Sequence, residues 1–217
     1  VREIHDGHHR QVRFAAQCST TYHWLPPVIR DFRTRRPGVD VRIEMVADDE
    51  PIPALLDELV DVALVIKPDR RMDQVELTPL FADDMVAVVA AGHPWAGRHH
   101  VTARDFADVH LILYDAYDQT RIPARRLPVP DGARPGRITT MPVITELLVE
   151  MVAGGEGVAI LPSWIAEPYT AAHDVRLVRI GAKGQPRHWY LATRAGRQPA
   201  HIAEFAELLV ERLRESS

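Results

Sequence analysis

The chain has 217 residues, with 26 basic and 30 acidic side chains and a formal charge of −4. That length can bury a core as one large domain or two small lobes, and the charge lacks the basic excess with which a domain grips nucleic acid by itself. The single cysteine, Cys18, excludes an internal disulfide and a CxxC zinc site; a reducing cytoplasm is the expected compartment. No apolar run approaches the roughly 18 residues of a membrane span, and the polar opening VREIHDGHHRQVRF is not a signal peptide.

In chain order, RFAAQ (Arg13 to Gln17) predicts a buried strand. Leu25, Val28, Ile29 and Phe32 then mark one helical face, with Thr20 or Thr21 expected as its cap, Pro26 and Pro27 tolerable only near its start, and Pro37-Gly38 at its end. Val39, Val41, Ile43 and Met45 alternate as in a strand with one buried face. IPALLDELV predicts a short helix and VALVI (Val62 to Ile66) a continuous apolar strand, so the opening order is β-α-β-α-β, which favours a parallel sheet. MVAVVAA and VHLILYD predict further strands. TARDF predicts a brief helix entry, and DQTRIPARRLPVPDGARPGR a loop. RITT predicts a short strand. Ile144, Leu147, Leu148 and Met151 predict a helical stripe. VAILP, VRLVRI and HWYLATR are strands, and the last helix turns Ile202, Phe205, Leu209 and Leu213 inward.

Three glycines, Gly154, Gly155 and Gly157, invite comparison with a phosphate loop. A phosphate loop follows a strand and opens a helix. Here the order is reversed, so these glycines end a helix and turn into a strand. The helix N-terminus that faces a ligand is expected at the other end of this unit, at Thr139, Thr140 and Met141.

A helix running into VAGGEGVAILP resembles the late helix-strand unit in the effector-binding domain of LysR-type transcriptional regulators. STTYHWLPPVIRDFRTRRPGVDVRI, LLDELVDVALVIKPD and LFADDMVAVVAAGHPWA match the family in order, so the likeness covers about Gln11 to Leu213. Within the family, QCSTTYHWLPP and LLVEMVAGGEGVAILPSWIAE look most like the methionine-pathway regulators. Ser19 stands where those carry a histidine, which leaves room for a different effector. The resemblance implies an α/β, two-lobed type 2 periplasmic-binding-protein-like fold with two crossover strands and a cleft between the lobes. Residues 1–12 would be the end of a linker, 13–85 with 193–217 the first lobe, and 86–192 the second. A winged helix-turn-helix would precede Val1.

Ligands of open α/β sheets bind beyond the carboxyl ends of the strands. The candidates are therefore Cys18, Ser19, Thr20 and Thr21, then Ala47 and Asp48, then Ile66 and Lys67 in the first lobe. In the second they are Tyr114 and Asp115, then Thr139, Thr140 and Met141, then Pro162. Hydroxyls ahead of a helix serve either as caps or, with free N–H groups, as a carboxylate site. Asp48 suits an amino group, Lys67 a carboxylate, and Tyr114, Met141 and Trp24 an apolar pocket, although each also has an ordinary surface or core reading. The histidines lack zinc spacing, and no GxSxG or paired-carboxylate arrangement is present. The expectation is thus no enzyme, no cofactor and no metal.

The resemblance implies a sensor of a small amino-acid-like or carboxylate effector, homocysteine in the methionine-pathway subgroup. The ligand would bridge the lobes and bias their angle. It also implies a head-to-tail homodimer of this domain, a tetramer at full length, and DNA contacts only through the missing N-terminal domain, with no membrane partner. Two alternatives share the fold: a solute-binding protein of an uptake system, and an enzyme such as a dehydratase.

Overall fold

A computed structural model of the chain describes residues 10–16, 24–44, 51–66, 72–120 and 127–215. They divide into two units, one running to Phe81 and resuming at His188, the other Ala82–Arg187. Both divisions fall inside strands, β4 (Val75–Ala90) and β10 (Pro186–Arg194).

In the first unit, β1 (Arg10–Ala16), α1 (Leu25–Arg35), β2 (Val39–Ile43), α2 (Pro51–Leu56) and β3 (Val62–Ile66) alternate as the apolar pattern predicts. β1 pairs in parallel with β2 and with β3, and β10 runs antiparallel to β3. Strands buried on both faces need no polar alternation, which is why Val62, Ala63, Leu64 and Val65 are all buried. On one face, Phe14 and Phe32 of β1 and α1 stand edge-on to Phe205 of α5 (Ala200–Glu215), at 6.2 and 5.1 Å between ring centroids. Ile202, Phe205, Leu209 and Leu213 of α5 are buried as expected. On the other face, Ala15, Ala63, Val65 and Ala192 pack with Ala54 and Leu55 of α2.

The second unit contains β5 (His100–Val101), a 3-10 turn (Ala103–Phe106), β6 (His110–Tyr114), β7 (Arg137–Met141), α3 (Thr145–Ala153), β8 (Val158–Pro162), α4 (Ser163–Ala166) and β9 (Val175–Ile180). Its strands lie in the order β5-β9-β4-β8-β6-β7, with β6 parallel to both β7 and β8. Successive residues of a strand face opposite sides. Met85, Ala87, Leu111, Leu113 and Ile160 accordingly pack beneath Trp95 and Phe106. Their neighbours Val86, Val88, Ile112, Ala159 and Leu161 pack against Leu148, Val149 and Val152 of α3.

Three expectations need correction. The cap of α1 is Trp24 rather than Thr20 or Thr21, and no side chain caps the helix. A capping oxygen accepts from the second or third helical N–H, and those positions here are Pro26 and Pro27, which have none. The buried face of α3 is Thr145, Leu148, Val149 and Val152, one position along from the predicted stripe, and Ile144 and Leu147 are 47% and 48% exposed. β4 begins ten residues before MVAVVAA. The glycines do end α3. Glu156 N–H donates to Met151 O and Gly155 N–H to Val152 O, with Gly155 at φ +82°, a Schellman stop. A Cβ on Gly157 would stand 2.7 Å from His110 O.

Asp61, 3% exposed, ties the first unit together. Its carboxylate accepts from Arg13 Nε (3.0 Å), Arg13 Nη2 (2.7 Å), Arg13 N–H (2.9 Å) and Arg194 Nη2 (3.1 Å). The same guanidiniums donate to the carbonyls of Glu58, Leu55 and Val60, fixing the turn in which Glu58 takes φ 58°. Burial alone would raise the Asp61 pKa, but the bonds from Arg13 and Arg194 outweigh it and hold it below the ordinary carboxylate value. A depressed folded-state pKa contributes stability that is full above the unfolded value of about 4 and is lost as pH falls through the folded one. Asp61→Asn is expected to cost about 3 kcal/mol in urea unfolding at pH 7 and to flatten the acid arm of the stability profile. A midpoint and acid arm equal to those of the parent chain would contradict this role.

Candidate functional site

Because β6, β7 and β8 are mutually parallel, their carboxyl ends share one edge of the second unit. Tyr114 and Met141 face each other in register at that edge, and Pro162 ends β8 beside them. Tyr114 and Met141 are buried against Ile112, Leu148 and Leu161, so they form the floor of the edge.

The hydroxyl of Tyr114 is bonded to that of Thr145 at 2.8 Å, and Thr145 is wholly buried in the first turn of α3. Next to it Tyr169 donates to Glu146 Oε1 at 3.0 Å. Burial and that carboxylate push the Tyr169 phenol up to about 12. Thr145 was absent from the predicted residues, since a polar side chain in an apolar stripe reads as the solvent side; the spacing 145, 148, 149, 152 was the available signal.

Thr139 and Thr140 do not stand at a helix N-terminus. Both lie in β7, and α3 starts only at Thr145 with Ile144 as its cap. Pro142, Val143 and Ile144 separate the two, and adjacent strand residues point to opposite faces. Thr139 Oγ1 lies 2.8 Å from His110 Nε2, whose Nδ1 lies 2.7 Å from Glu156 O. A carbonyl only accepts, so Nδ1 carries the proton and Nε2 accepts from the Thr139 hydroxyl. Thr139 is therefore held within the unit, and Thr140, half-buried, is the β7 hydroxyl on the other face.

In the first unit, Ile66 ends β3 opposite Trp189 of β10, and Trp24 stands edge-on to Phe14 at 6.1 Å as part of the core. Cys18, Ser19, Thr20, Thr21, Ala47, Asp48 and Lys67 lie outside the described residues. Among the described residues, no group of His, Cys, Asp and Glu side chains is arranged to hold a metal, and no helix is long and apolar enough to cross a membrane.

The described residues thus form two α/β units, each built on parallel strand pairs. The chain belongs to the LysR substrate binding domain family, whose model matches residues 5–214. It is 29% identical over 194 residues to the HTH-type transcriptional regulator MetR of Haemophilus influenzae, covering 89% of this chain and 62% of that protein. A probable hydrogen peroxide-inducible genes activator of Streptomyces viridosporus is 32% identical, covering 85% and 58%. The solved regulatory domain of MetR from N. meningitidis superposes with a TM-score of 0.76 at 28% identity, covering 93% of each chain. These relatives are transcriptional regulators, and the chain spans about six tenths of the length of the curated MetR proteins it matches.

The buried hydroxyl pair is testable. Thr145→Val removes the buried bond to the Tyr114 hydroxyl and is expected to cost about 1–3 kcal/mol in chemical unfolding. Adding Tyr114→Phe should then cost less than the two single changes summed. Additive effects would show that the two hydroxyls do not interact.

Proposed function

We propose that this domain senses a small amino-acid-like carboxylate, with homocysteine the first compound to try, and that effector binding adjusts DNA binding by a regulator of which the domain is one part. The likeness to MetR regulators along nearly the whole chain is the observation that carries this reading. The hydroxyls proposed to receive the carboxylate are Ser19, Thr20, Thr21 and Thr140. Pro26 and Pro27 remove two donors from the start of α1, so hydroxyls before that helix, rather than its own amides, would receive the carboxylate. For the effector to act it must bind one state of the regulator more tightly than another. The regulator would work in the cytoplasm, where its DNA lies.

Calorimetric titration with homocysteine, with methionine and aromatic carboxylates as controls, tests the reading. Saturable, selective heat is expected for homocysteine. Thr20→Ala and Thr140→Ala should each weaken binding by about tenfold, the worth of one charge-assisted hydrogen bond. Heat only from an aromatic carboxylate would retain a sensor and discard the sulfur amino acid. Unchanged affinity in both variants would remove the hydroxyl site.

The domain would also pair head to tail with a second copy. The outer face of α1 presents Pro26 and Ile29 beside Arg30 and Arg33 in a shallow depression. The start of α3 exposes Val143, Ile144 and Leu147 beside Glu146 and Glu150. Apolar centres with opposite charge at the rim fit each other. Leu147→Glu should halve the sedimenting mass of a dimer, and an unchanged mass would place the interface elsewhere.

A further inference from the structure

Three of the described histidines use a ring nitrogen in a hydrogen bond, and the partners decide what an added proton would do to each. His110 faces the carbonyl of Glu156 and the hydroxyl of Thr139. His173 faces the carbonyl of Tyr169 and the carboxylate of Glu150. Every one of those partners is able to accept, so a second ring proton still finds an oxygen. His93 differs. Its Nδ1 takes the backbone N–H of Trp95 at 3.2 Å, and a backbone N–H only donates. Nδ1 is therefore bare and Nε2 carries the proton of the neutral ring. A proton added at Nδ1 would confront another donor.

The bond belongs to the turn between β4 and β5. Here His93 N–H donates to Ala90 O, Ala96 N–H to His93 O and Arg98 N–H to Trp95 O, each at 2.9 Å. Pro94 has no N–H, so the Trp95 amide is the next donor along the chain after His93, and the imidazole takes it. The half-buried imidazole also stands edge-on to the Trp95 indole, with ring centroids 5.2 Å apart and planes at 89°. That indole is 5% exposed and packs in one core with Met85, Ala87, Val89, Val101 and Phe106. One imidazole thus holds both the backbone and the ring of a core tryptophan.

Among the described residues no charge compensates an imidazolium at this place. Arg98 is bonded to Asp105 of the 3-10 turn at 2.7 Å. Asp174, whose carbonyl accepts from Ala91, is paired with Arg176 at 3.5 Å. Arg104 lies on the 3-10 turn, His99 and His100 lead into β5, and Asp131 and Arg134 stand on the loop whose Val129 and Ala133 pack against the same core. None of these groups moves the His93 pKa; burial alone does, and it lowers it. A depressed folded-state value means that the unfolded chain takes the proton first. The contribution of His93 to stability is therefore full above the unfolded value of about 6.5 and is lost as pH falls from there to the folded one.

We propose that His93 is an acid-operated latch within the second unit. Neutral, it accepts the Trp95 N–H and holds the β4–β5 turn against the indole. Protonated at Nδ1, it gives up that bond, the imidazolium turns to water, and Trp95 loosens from the core in which it packs. The opening is local, because β4 and β9, which carry much of the rest of that core, keep their own pairing. The latch needs no ligand and stands apart from the effector reading.

Nuclear magnetic resonance and amide hydrogen exchange on the chain itself test the latch. Ring nitrogen shifts should show the Nε2–H tautomer of His93 at about pH 7.5. Between about pH 7.5 and pH 5 the protection factor of the Trp95 amide should fall by about tenfold, the worth of one hydrogen bond, while the paired amides of β4 hold theirs. In His93→Asn the side-chain oxygen is placed to accept the same N–H two residues on and takes no proton in this range, so Trp95 protection should stay level. A proton on Nδ1 at about pH 7.5, a Trp95 protection factor that acid leaves unchanged, or an equal fall in His93→Asn overturns the latch. The first two readings use the unaltered chain, so the proposal stays open to refutation even where the variant fails to fold.

Discussion

Parallel pairing is the constraint from which the rest of this molecule follows. Once β1 is hydrogen-bonded in parallel to β2 and β3, and β6 to β7 and β8, every connection must travel the length of the sheet. Helices or long crossings are the means, and where they cover both faces, as at β3 and β8, the strands are apolar throughout. All strands in a group then deliver their following residues to a single edge. That edge collects side chains from distant parts of the sequence without any of them being adjacent in the chain. Asp61 serves the same geometry in the first unit. It joins Arg13 of β1 to Arg194 of β10 and anchors the turn ahead of β3.

Much of this architecture was legible in the amino acids. β3 and β8 are short apolar runs bounded by breakers, and α5 repeats its inward residues at helical spacing. The elements that misled are those where a partner remote in sequence decides. In α3, the stripe through Ile144 and Leu147 and the stripe through Thr145 and Val149 are both apolar enough to be buried. The choice is made by the Tyr114 hydroxyl, 31 residues earlier, which gives Thr145 a buried partner. Thr139 and Thr140 looked like a helix entry because the four residues between them and α3 do not mark the helix start, whereas pairing with β6 holds them in a strand. The first half of β4 alternates only from Val75 to Thr78 before Pro79 interrupts the pattern. Of the candidate residues, the strand-end logic placed Tyr114, Met141 and Pro162 at strand ends, where the structure has them.

The acids of the second unit show how charge is apportioned in a fold with little room for it. Asp83 is sunk in the protein and matched by a forked guanidinium; removing either partner would leave a charge stranded. Asp84 is pinned by backbone and left unmatched. The same residue type, one position apart, thus meets a guanidinium on one side of the strand and a glycine turn on the other. The alternation that sorts apolar residues between the two faces of β4 sorts these carboxylates as well.

The start of α1 has a consequence of a different kind. Most helices are begun by an acceptor side chain whose grip varies with protonation and ionic strength. Here two consecutive prolines occupy the positions such an acceptor would serve, and the helix is begun by covalent rings that stiffen the chain before it folds. No proton or salt ion can loosen a ring. The start of α1 therefore holds its geometry without drawing on any side-chain acceptor.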